Sequence, residues 1–519
     1  MGKKEVVLLT GASGSMGFET FKQLWEKRDR YDIVLLLRPS KKNRKKFREF
    51  EQKAGRAYEN GLKTDESGLK TDENGLKTDE SGLKTDESGL KIIWGDILNR
   101  GNVVEACRGI DWCLHTMALI PPAADRDPEM AHKVNALGTR YLVEAIEAEA
   151  PDHIRLISVG TIAEYGDRRP PVQMARAGDP VIPSLYDHYA LSKVKGELAV
   201  MQSRIRHRVS LRQTFIMIPD LFSLMDPILF HQPINSYIES ITARDSGRLM
   251  VNCLEVPDHS DFWGGYINIS GGPACRTTFL EFLDEIYKLL GIRLRKVMER
   301  PWFALKNFHM HFIEDSGRLN AYLHHWEGGQ TLDEYYREVW KAFPWYLKVT
   351  AWFNRYVPPF RAFVEAMTRI QLKKLAHEKD GILGWLDRND TGRINAFYGS
   401  LEAYHNIPGW DEDMPSLDHA QPYRRLDHGY DESREELELK DLQQAAIFRG
   451  GELVSREWSG NMDQLLSWMC CQDHPFKMSP HAVLKGGHWC LECISPPWNH
   501  HLVADKNHFA AQVLKPSSI

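Results

Sequence analysis

Long apolar runs, a surplus of cationic charge and cysteine are all scarce in this chain. None of its 519 residues falls in a run of 18 uncharged apolar residues, so no bilayer span is expected. Lys and Arg number 66 against 71 Asp and Glu, a net charge of -5. That balance gives no overall basic field, and nucleic acid is not expected as a partner. Eight cysteines are too few for a disulfide scaffold. The first residues also lack an apolar segment followed by a small-residue cleavage site, so a reducing cytoplasm is the expected compartment. Met1-Gly2 opens the chain, but Val6 stands where an N-myristoylation signal needs Ser or Thr. What is present is an ordinary folded composition, 42% hydrophobic and 26% charged, on a length that fits two or three domains.

The organisation follows from apolar periodicity. Glu5 to Gly17 reads EVVLLTGASGSMG: a β-branched run, a glycine-punctuated turn, then the amphipathic stretch Phe18 to Trp25. Ile33 to Leu37 supplies a second strand, and Lys91 to Trp94, Trp112 to Thr116 and Ile154 to Ser158 supply three more. Helical patterns at Val103 to Cys107 and Val134 to Glu147 lie between them. This alternation predicts an α/β fold, a Rossmann-type doubly wound parallel sheet. A smaller substrate-binding part and a mainly helical, loop-rich C-terminal extension complete the expected architecture. The expected boundaries are 1–215 for the dinucleotide-binding domain, 216–343 for the part interleaved with the last strands, and 344–519 for the extension. Within the first domain, 61–91 is a polar insertion of period seven (GLKTDES, GLKTDEN, GLKTDES, GLKTDES). With one Leu per repeat it lacks the two apolar seam positions of a coiled coil, and a solvated loop is expected.

The glycine pattern at Gly11, Gly14 and Gly17 follows a strand and opens a helix, the setting in which a pyrophosphate meets a helix N-terminus. Gly11, Ser13, Gly14, Ser15, Met16 and Gly17 are therefore the expected cofactor contacts. Twenty-one residues after Gly17 stands Arg38 rather than an acid. An Arg there suits a ribose 2′-phosphate, so NADP(H) is expected over NAD(H); a solvated helix start accounts equally for the lysines that follow. Asp96 and Ile97, after the third strand, are placed for the adenine edge, with a plain turn Asp as the rival reading. Tyr189 and Lys193 share one helix face at i and i+4. A free phenol is a poor acid-base catalyst at neutral pH, and a neighbouring ammonium is expected to lower its pKa.

Together with His115-x-x-Ala118, Asn135-x-x-Gly138-Thr139, Tyr165-Gly166 and Asn268-Ile269-Ser270-Gly271-Gly272, these motifs make the chain resemble the extended short-chain dehydrogenase/reductase superfamily over residues 1 to about 340. The resemblance implies that Thr161, with Ser158 as the stand-in, bonds the substrate oxygen and that Tyr189 passes the proton. It further implies that Lys193 holds the nicotinamide ribose, that Asn135 supports a proton-relay water and the helix geometry, and that Met117 and Ala118 border the cofactor. Departures narrow the reaction. Ile162 and Ala163 stand where sugar dehydratases carry Asp-Glu, and Leu211 to Pro219 lacks the segment common in nucleotide-sugar enzymes.

The expected function is an NADPH-dependent oxidoreductase acting on a carbonyl or alcohol of an apolar or aromatic small molecule. Reduction of a conjugated C=C bond, sugar-nucleotide epimerisation and a non-catalytic dinucleotide-binding scaffold are the alternatives. Eleven of fifteen tryptophans lie after residue 300, expected in core packing or lining a substrate pocket. Phe343 to Lys379 reads as helices broken at Pro358-Pro359, expected as interior helices or a substrate cap; a contact in a homodimer and an interfacial membrane contact are the other readings. Asp387 to Ile394 mimics a calcium loop but has Tyr398 at its twelfth place, so a turn between helices is expected. Cys490-x-x-Cys493 has zinc-ligand spacing, with Cys470, Cys471, His474 and further histidines nearby. Structural zinc and unligated thiols are both open there.

Overall fold

The computed structural model of the chain describes residues 4–61, 89–220, 225–410 and 423–516. The heptad insertion placed at 61–91 lies outside the described residues except at its two ends.

Seven strands carry the architecture: β1 (Glu5–Thr10), β2 (Tyr31–Leu37), β3 (Leu90–Trp94), β4 (Trp112–His115), β5 (Arg155–Thr161), β6 (His207–Gln213) and β7 (Tyr266–Ile269). They form one parallel sheet in the spatial order β7-β6-β5-β4-β1-β2-β3. Strand order reverses between β1 and β4, the crevice where doubly wound sheets bind ligands. The expected α/β class is thus observed, and Tyr266–Ile269, which holds the Asn268-Ile269 motif, is the chain's return to the sheet.

Both sheet faces are buried, which is why the strands read as continuous apolar runs rather than alternating ones. Val7, Leu9, Ile33 and Leu35 pack on one side with Phe21 and Leu24 of helix α1 (Ser15–Glu26) and Phe47 of α2 (Lys41–Gly61). On the other side Leu8, Val34 and Leu36 pack with Val103 of α3 (Arg100–Cys107) and Leu142 and Ile146 of α4 (Thr139–Glu149). Helix α5 (His188–Met201) adds Val200 and Met201 to that second layer.

After residue 214 the chain builds a second, three-stranded sheet from 215–217, 237–242 and 276–278. Helix α6 (Ala243–Asn252) then returns to pack on α1, and α7 (Phe279–Leu289) joins a separate core with Trp302, Tyr335 and Trp385. The pattern read over 343–379 resolves into α8 (Trp345–Tyr356) and α9 (Pro358–Ala376), broken at Pro358-Pro359 as the sequence demands. Asp390 caps the helix Thr391–Tyr398 by accepting from Arg393 N at 3.1 Å, so the calcium-like segment is a turn. Among the described residues, no helix is long and apolar enough to cross a membrane.

The aromatic front of α8 corrects an expectation. It is not interior: Trp345 is 76% exposed and Trp352 55%. Other tryptophans do pack as expected, with Trp302, Trp385 and Trp468 buried. Composition counts rings but cannot say which helix face finds a partner.

The last lobe pairs helix α10 (Leu439–Phe448) with an antiparallel sheet of β8 (Glu452–Leu453), β9 (Leu466–Met469) and β10 (Pro475–Met478). Its Leu442, Ala445, Leu466 and Trp468 share a core with Leu191, Val194 and Leu198 of α5. The C-terminal extension is therefore packed onto the helix that carries Tyr189 and Lys193.

Candidate active site

Glycine is required twice in the loop from β1 to α1. Gly11 has a φ of +79°, and a Cβ there would stand 2.6 Å from Met117 N. On Gly17 a Cβ would stand 2.2 Å from Gly11 O, which lets α1 begin directly against the loop. Gly14 is different, since its nearest neighbour would be Gly11 O at an ordinary 3.5 Å. Gly14 and Ser15 are exposed, Ser13 half-buried and Met16 buried. The result is an open cradle at a helix N-terminus, of the kind that receives a phosphate.

Around this cradle, Lys46 Nζ donates to Ser13 O at 3.0 Å, bringing one ammonium of the basic run against the loop. Burial lowers its pKa. Arg38 is exposed at the end of β2, its carbonyl accepting from Asn43 Nδ2 at 2.9 Å. Asp96 makes a turn, its Oδ1 accepting from Leu98 N at 2.9 Å, while Ile97 is buried against Gly138. Met117 and Ala118 are half-buried just past β4. His115 ties three elements together: Nδ1 pairs with Thr10 Oγ1 at 2.8 Å and Nε2 with Thr139 Oγ1 at 2.9 Å. Burial, with Lys193 adding, lowers its pKa to about 3.

Tyr189 sits in the first turn of α5, which Asp187 caps by accepting from Ala190 N at 2.7 Å. Its phenol faces Thr161 at the carboxyl end of β5, near enough for that hydroxyl to act on the phenol pKa. One turn on, Lys193 Nζ donates to Val159 O at 2.6 Å. The structure thus brings Thr161, Tyr189 and Lys193 together at the carboxyl end of the sheet. Asn135 supports them from beneath: its Oδ1 accepts from Leu119 N at 2.7 Å. Its Nδ2 donates to Leu119 O and Ser192 Oγ, both at 2.9 Å. It ties α5 to the loop after β4, with its amide engaged by protein.

The expected acidification of the phenol is not met. Burial raises the Tyr189 pKa, Asp187 and Glu164 add to the rise, and the Thr161 hydroxyl opposes it. The i, i+4 spacing placed the two side chains on one face but could not reveal where the ammonium donates or how dry the site is. Burial likewise lowers Lys193, against the pull of Glu164 and Glu197.

Beside the start of α5 opens a cleft bordered by residues of 121–128 after β4 and by 185–188 leading into the helix. Asp125, Asp187, Asp226, Asp380, Arg126 and Arg393 line it. His309 pairs with Asp187 at 2.8 Å and Arg126 with Asp226 at 2.5 Å. Burial pushes the Asp125 carboxyl up to about 7, the Asp187 charge adding to it. Pro121, Pro122, Leu185, Tyr186, Ile228, Phe308 and Phe397 share the wall with these charged groups. Trp498 packs on Tyr186 and His188, with ring centroids 5.1 and 5.2 Å away.

Beneath the site lies a buried cluster absent from the sequence reading. Arg212 Nη2 donates to Glu197 Oε2 at 2.7 Å, and Arg212 Nε lies 3.4 Å from Glu164 Oε2. Burial and the Glu197 charge hold Glu164 well above its ordinary pKa. Burial works the same way on Glu197, but the Arg212 charge and the His488 hydrogen bond hold it well below. Glu197 follows Lys193 by four residues, so extending the Tyr189 face would have found it; nothing local marks His488. Of the zinc candidates, Cys490 and Cys493 lie with Cys470 and His474, whereas His488 is turned to Glu197.

A doubly wound sheet, an open glycine cradle at its switch point and a Thr/Tyr/Lys set at the carboxyl ends of its strands define an α/β domain of the Rossmann type. Residues 7–225 match the model of the NAD dependent epimerase/dehydratase family. Among solved structures the chain is similar to dTDP-glucose 4,6-dehydratase from Bacillus anthracis str. Ames in complex with NAD. The identity is 14%, over 69% of this chain and 99% of that one, with a TM-score of 0.46. It is also similar to UDP-glucuronic acid 4-epimerase from Bacillus cereus in complex with NAD (18% identity, 67% and 99% covered, TM-score 0.43). A third is a short-chain dehydrogenase/reductase superfamily protein from Agrobacterium tumefaciens with bound NAD (18%, 65% and 97%, 0.43). No curated protein matches the chain.

Proposed function

We propose that the chain is an NADP(H)-dependent oxidoreductase that reduces a carbonyl on a polar small molecule, with Tyr189 as the proton donor. The observation that carries this reading is the placing of Tyr189 on the same helix face as Lys193, with its phenol facing Thr161 at the carboxyl end of β5. The cradle fits a dinucleotide because a side chain at Gly11 or Gly17 would collide with backbone while the space at Gly14 stays clear.

Gly11, Ser13, Gly14, Ser15, Met16 and Gly17 would hold the pyrophosphate, Arg38 and Lys46 the 2′-phosphate, and Asp96 and Ile97 the adenine side. Met117 and Ala118 would border the nicotinamide, and Lys193 its ribose. When bound, the nicotinamide supplies the hydride. Thr161 orients the substrate oxygen, and Tyr189 hands its phenolic proton to that oxygen. A phenol whose pKa is raised is neutral at physiological pH and already carries the proton, which favours reduction over alcohol oxidation. Asp125, titrating near neutrality in the cleft wall, is a second group able to exchange a proton with a bound polar substrate.

Epimerisation of a sugar nucleotide is the second reading, favoured by the charged cleft and the family match. Dehydration is not favoured: Ile162 and Ala163 are apolar, and the next acid, Glu164, turns into the Arg212 cluster.

Stopped-flow oxidation of NADPH across polar ketones, aldehydes, enones and UDP-sugars tests the proposal. Tyr189→Phe should abolish turnover while cofactor binding survives. Conversion of UDP-sugars without net NADPH oxidation would replace the proposal with the second reading. Cofactor binding without turnover of any compound would leave a scaffold.

A further inference from the structure

Four metal-ligating side chains outside the Tyr189 site converge in the C-terminal lobe. Cys470 follows β9, His474 precedes β10, and Cys490 and Cys493 approach from a turn at Glu492–Ile494. One ligand atom from each lies within 4.8 Å of the others. Cys470 Sγ and Cys493 Sγ are 3.5 Å apart, and His474 Nδ1 is 3.6 Å from the sulfurs of both Cys490 and Cys493. Zinc bonded tetrahedrally at about 2.3 Å to sulfur and about 2.0 Å to nitrogen requires ligand–ligand edges of about 3.5–3.8 Å. The observed edges match that figure. They are far from the ~2.05 Å of a disulfide, and all eight cysteines are free. Gln472 N donates to Cys470 Sγ at 3.4 Å, an outer-shell bond of the kind that orients a ligand.

We propose that Cys470, His474, Cys490 and Cys493 bind one structural zinc ion. Protein fills all four positions, so the site is closed and holds the lobe together rather than reacting. Its consequence reaches the Tyr189 helix. The segment leading into Cys490 carries Gly486, whose carbonyl accepts from Arg212 at 2.8 Å, and His488, which bonds Glu197 at 2.7 Å. The ion would fix the stretch that seats these contacts, whatever reaction the Tyr189 site performs.

Elemental analysis of the full chain purified from zinc-supplemented medium should give one zinc per chain. Cys490→Ser and Cys493→Ser should each lower it severalfold, while Cys471→Ser, outside the ligand set, keeps it. Because loss of a ligand can unfold the lobe, the wild-type chain is also loaded with Co(II). Tetrahedral ligand-field bands with thiolate charge transfer support the site. Octahedral bands, zinc far below one per chain, or a Cys470–Cys493 disulfide by mass spectrometry would each overturn it.

A separate observation concerns α8 and α9. Of twenty large apolar side chains exposed among the described residues, ten fall between 345 and 370. On α8 the exposed Trp345, Tyr346, Val349, Trp352, Phe353 and Tyr356 repeat at helical spacing. Phe360, Phe363, Met367 and Ile370 form the stripe on α9. The stripes join where the Phe353 and Phe360 rings lie 5.5 Å apart. Residues 345–376 hold six Lys or Arg and one acid, Glu365, which is buried and paired with Arg293 at 2.7 Å. A second copy docked face to face would oppose like charges, whereas anionic headgroups complement the basic residues and Trp and Tyr suit the interfacial layer.

We infer that this helical pair lies in the surface of a membrane bearing anionic lipid. Flotation of the full chain with phosphatidylcholine vesicles, with and without phosphatidylglycerol, tests it. Binding should require phosphatidylglycerol, weaken with salt, and fall at least tenfold in a Trp352→Ser/Phe363→Ser variant whose circular dichroism is unchanged. No flotation, binding indifferent to headgroup charge, or a dimer that the same variant dissociates without any vesicle binding would overturn the inference.

Discussion

His488 and Glu197 bond at 2.7 Å across 291 residues of sequence, joining the C-terminal lobe to the helix that carries Tyr189 and Lys193. Both residues are buried, with Arg212 and Glu164 completing the cluster. Removing the imidazole leaves a buried carboxylate with fewer partners. His488→Ala should therefore cost about 2–3 kcal/mol in urea unfolding, and His488→Gln, which keeps a donor, less. A loss under about 0.5 kcal/mol by either substitution would show that water or Arg212 compensates.

The raised phenol of Tyr189 predicts opposite pH profiles for the two reaction directions. Tyr189 is protonated below its raised pKa, so carbonyl reduction should stay flat from neutral to mildly alkaline pH. Alcohol oxidation needs the phenolate and should climb throughout that range. Steady-state rates in both directions decide the matter, and a reduction rate already falling at neutral pH contradicts a raised value.

Arg38→Ala should weaken NADPH binding about tenfold or more, the worth of a charge-assisted hydrogen bond, and leave NADH nearly unchanged. Fluorescence titration of both cofactors measures this. Equal losses for the two would remove the 2′-phosphate role.

Gly14→Ala and Gly17→Ala should part company. At Gly17 the new Cβ meets Gly11 O at 2.2 Å, so stability falls by about 1–3 kcal/mol and cofactor binding falls with it. At Gly14 the nearest contact is 3.5 Å; the melting temperature should hold while cofactor affinity drops. Unimpaired binding in Gly14→Ala would mean the phosphate does not approach there.

Burial lowers the pKa of His115 to about 3 and that of His231 to about 4, below the unfolded value of about 6.5. Between those limits the unfolded chain binds more protons, so stability rises with pH. It should be fully present above pH ~6.5 and fall as the pH drops, by up to about 1.4 kcal/mol per unit for each group. A urea midpoint unchanged across that acidic range would contradict their burial as neutral rings.

Local patterning fixed the framework of the domain. The run Val6 to Leu9, the glycines at 11, 14 and 17, and the Tyr189/Lys193 spacing are short-range features, and the backbone rules that read them act over a few residues. Sheet, cradle and helix face followed from them because parallel βαβ units leave few alternatives. The roles of Thr161 and Tyr189 came from the resemblance alone.

What the tertiary structure alone decided depends on partners far away in sequence and on solvent exclusion. It turned the Lys193 ammonium toward Val159 O, raised the Tyr189 phenol, lined the cleft with charge, exposed the α8 aromatics and brought Cys470 and His474 to Cys490 and Cys493. Side-chain identity states what a group is able to do. Only the packing around it sets its proton, its neighbour and its contact with water.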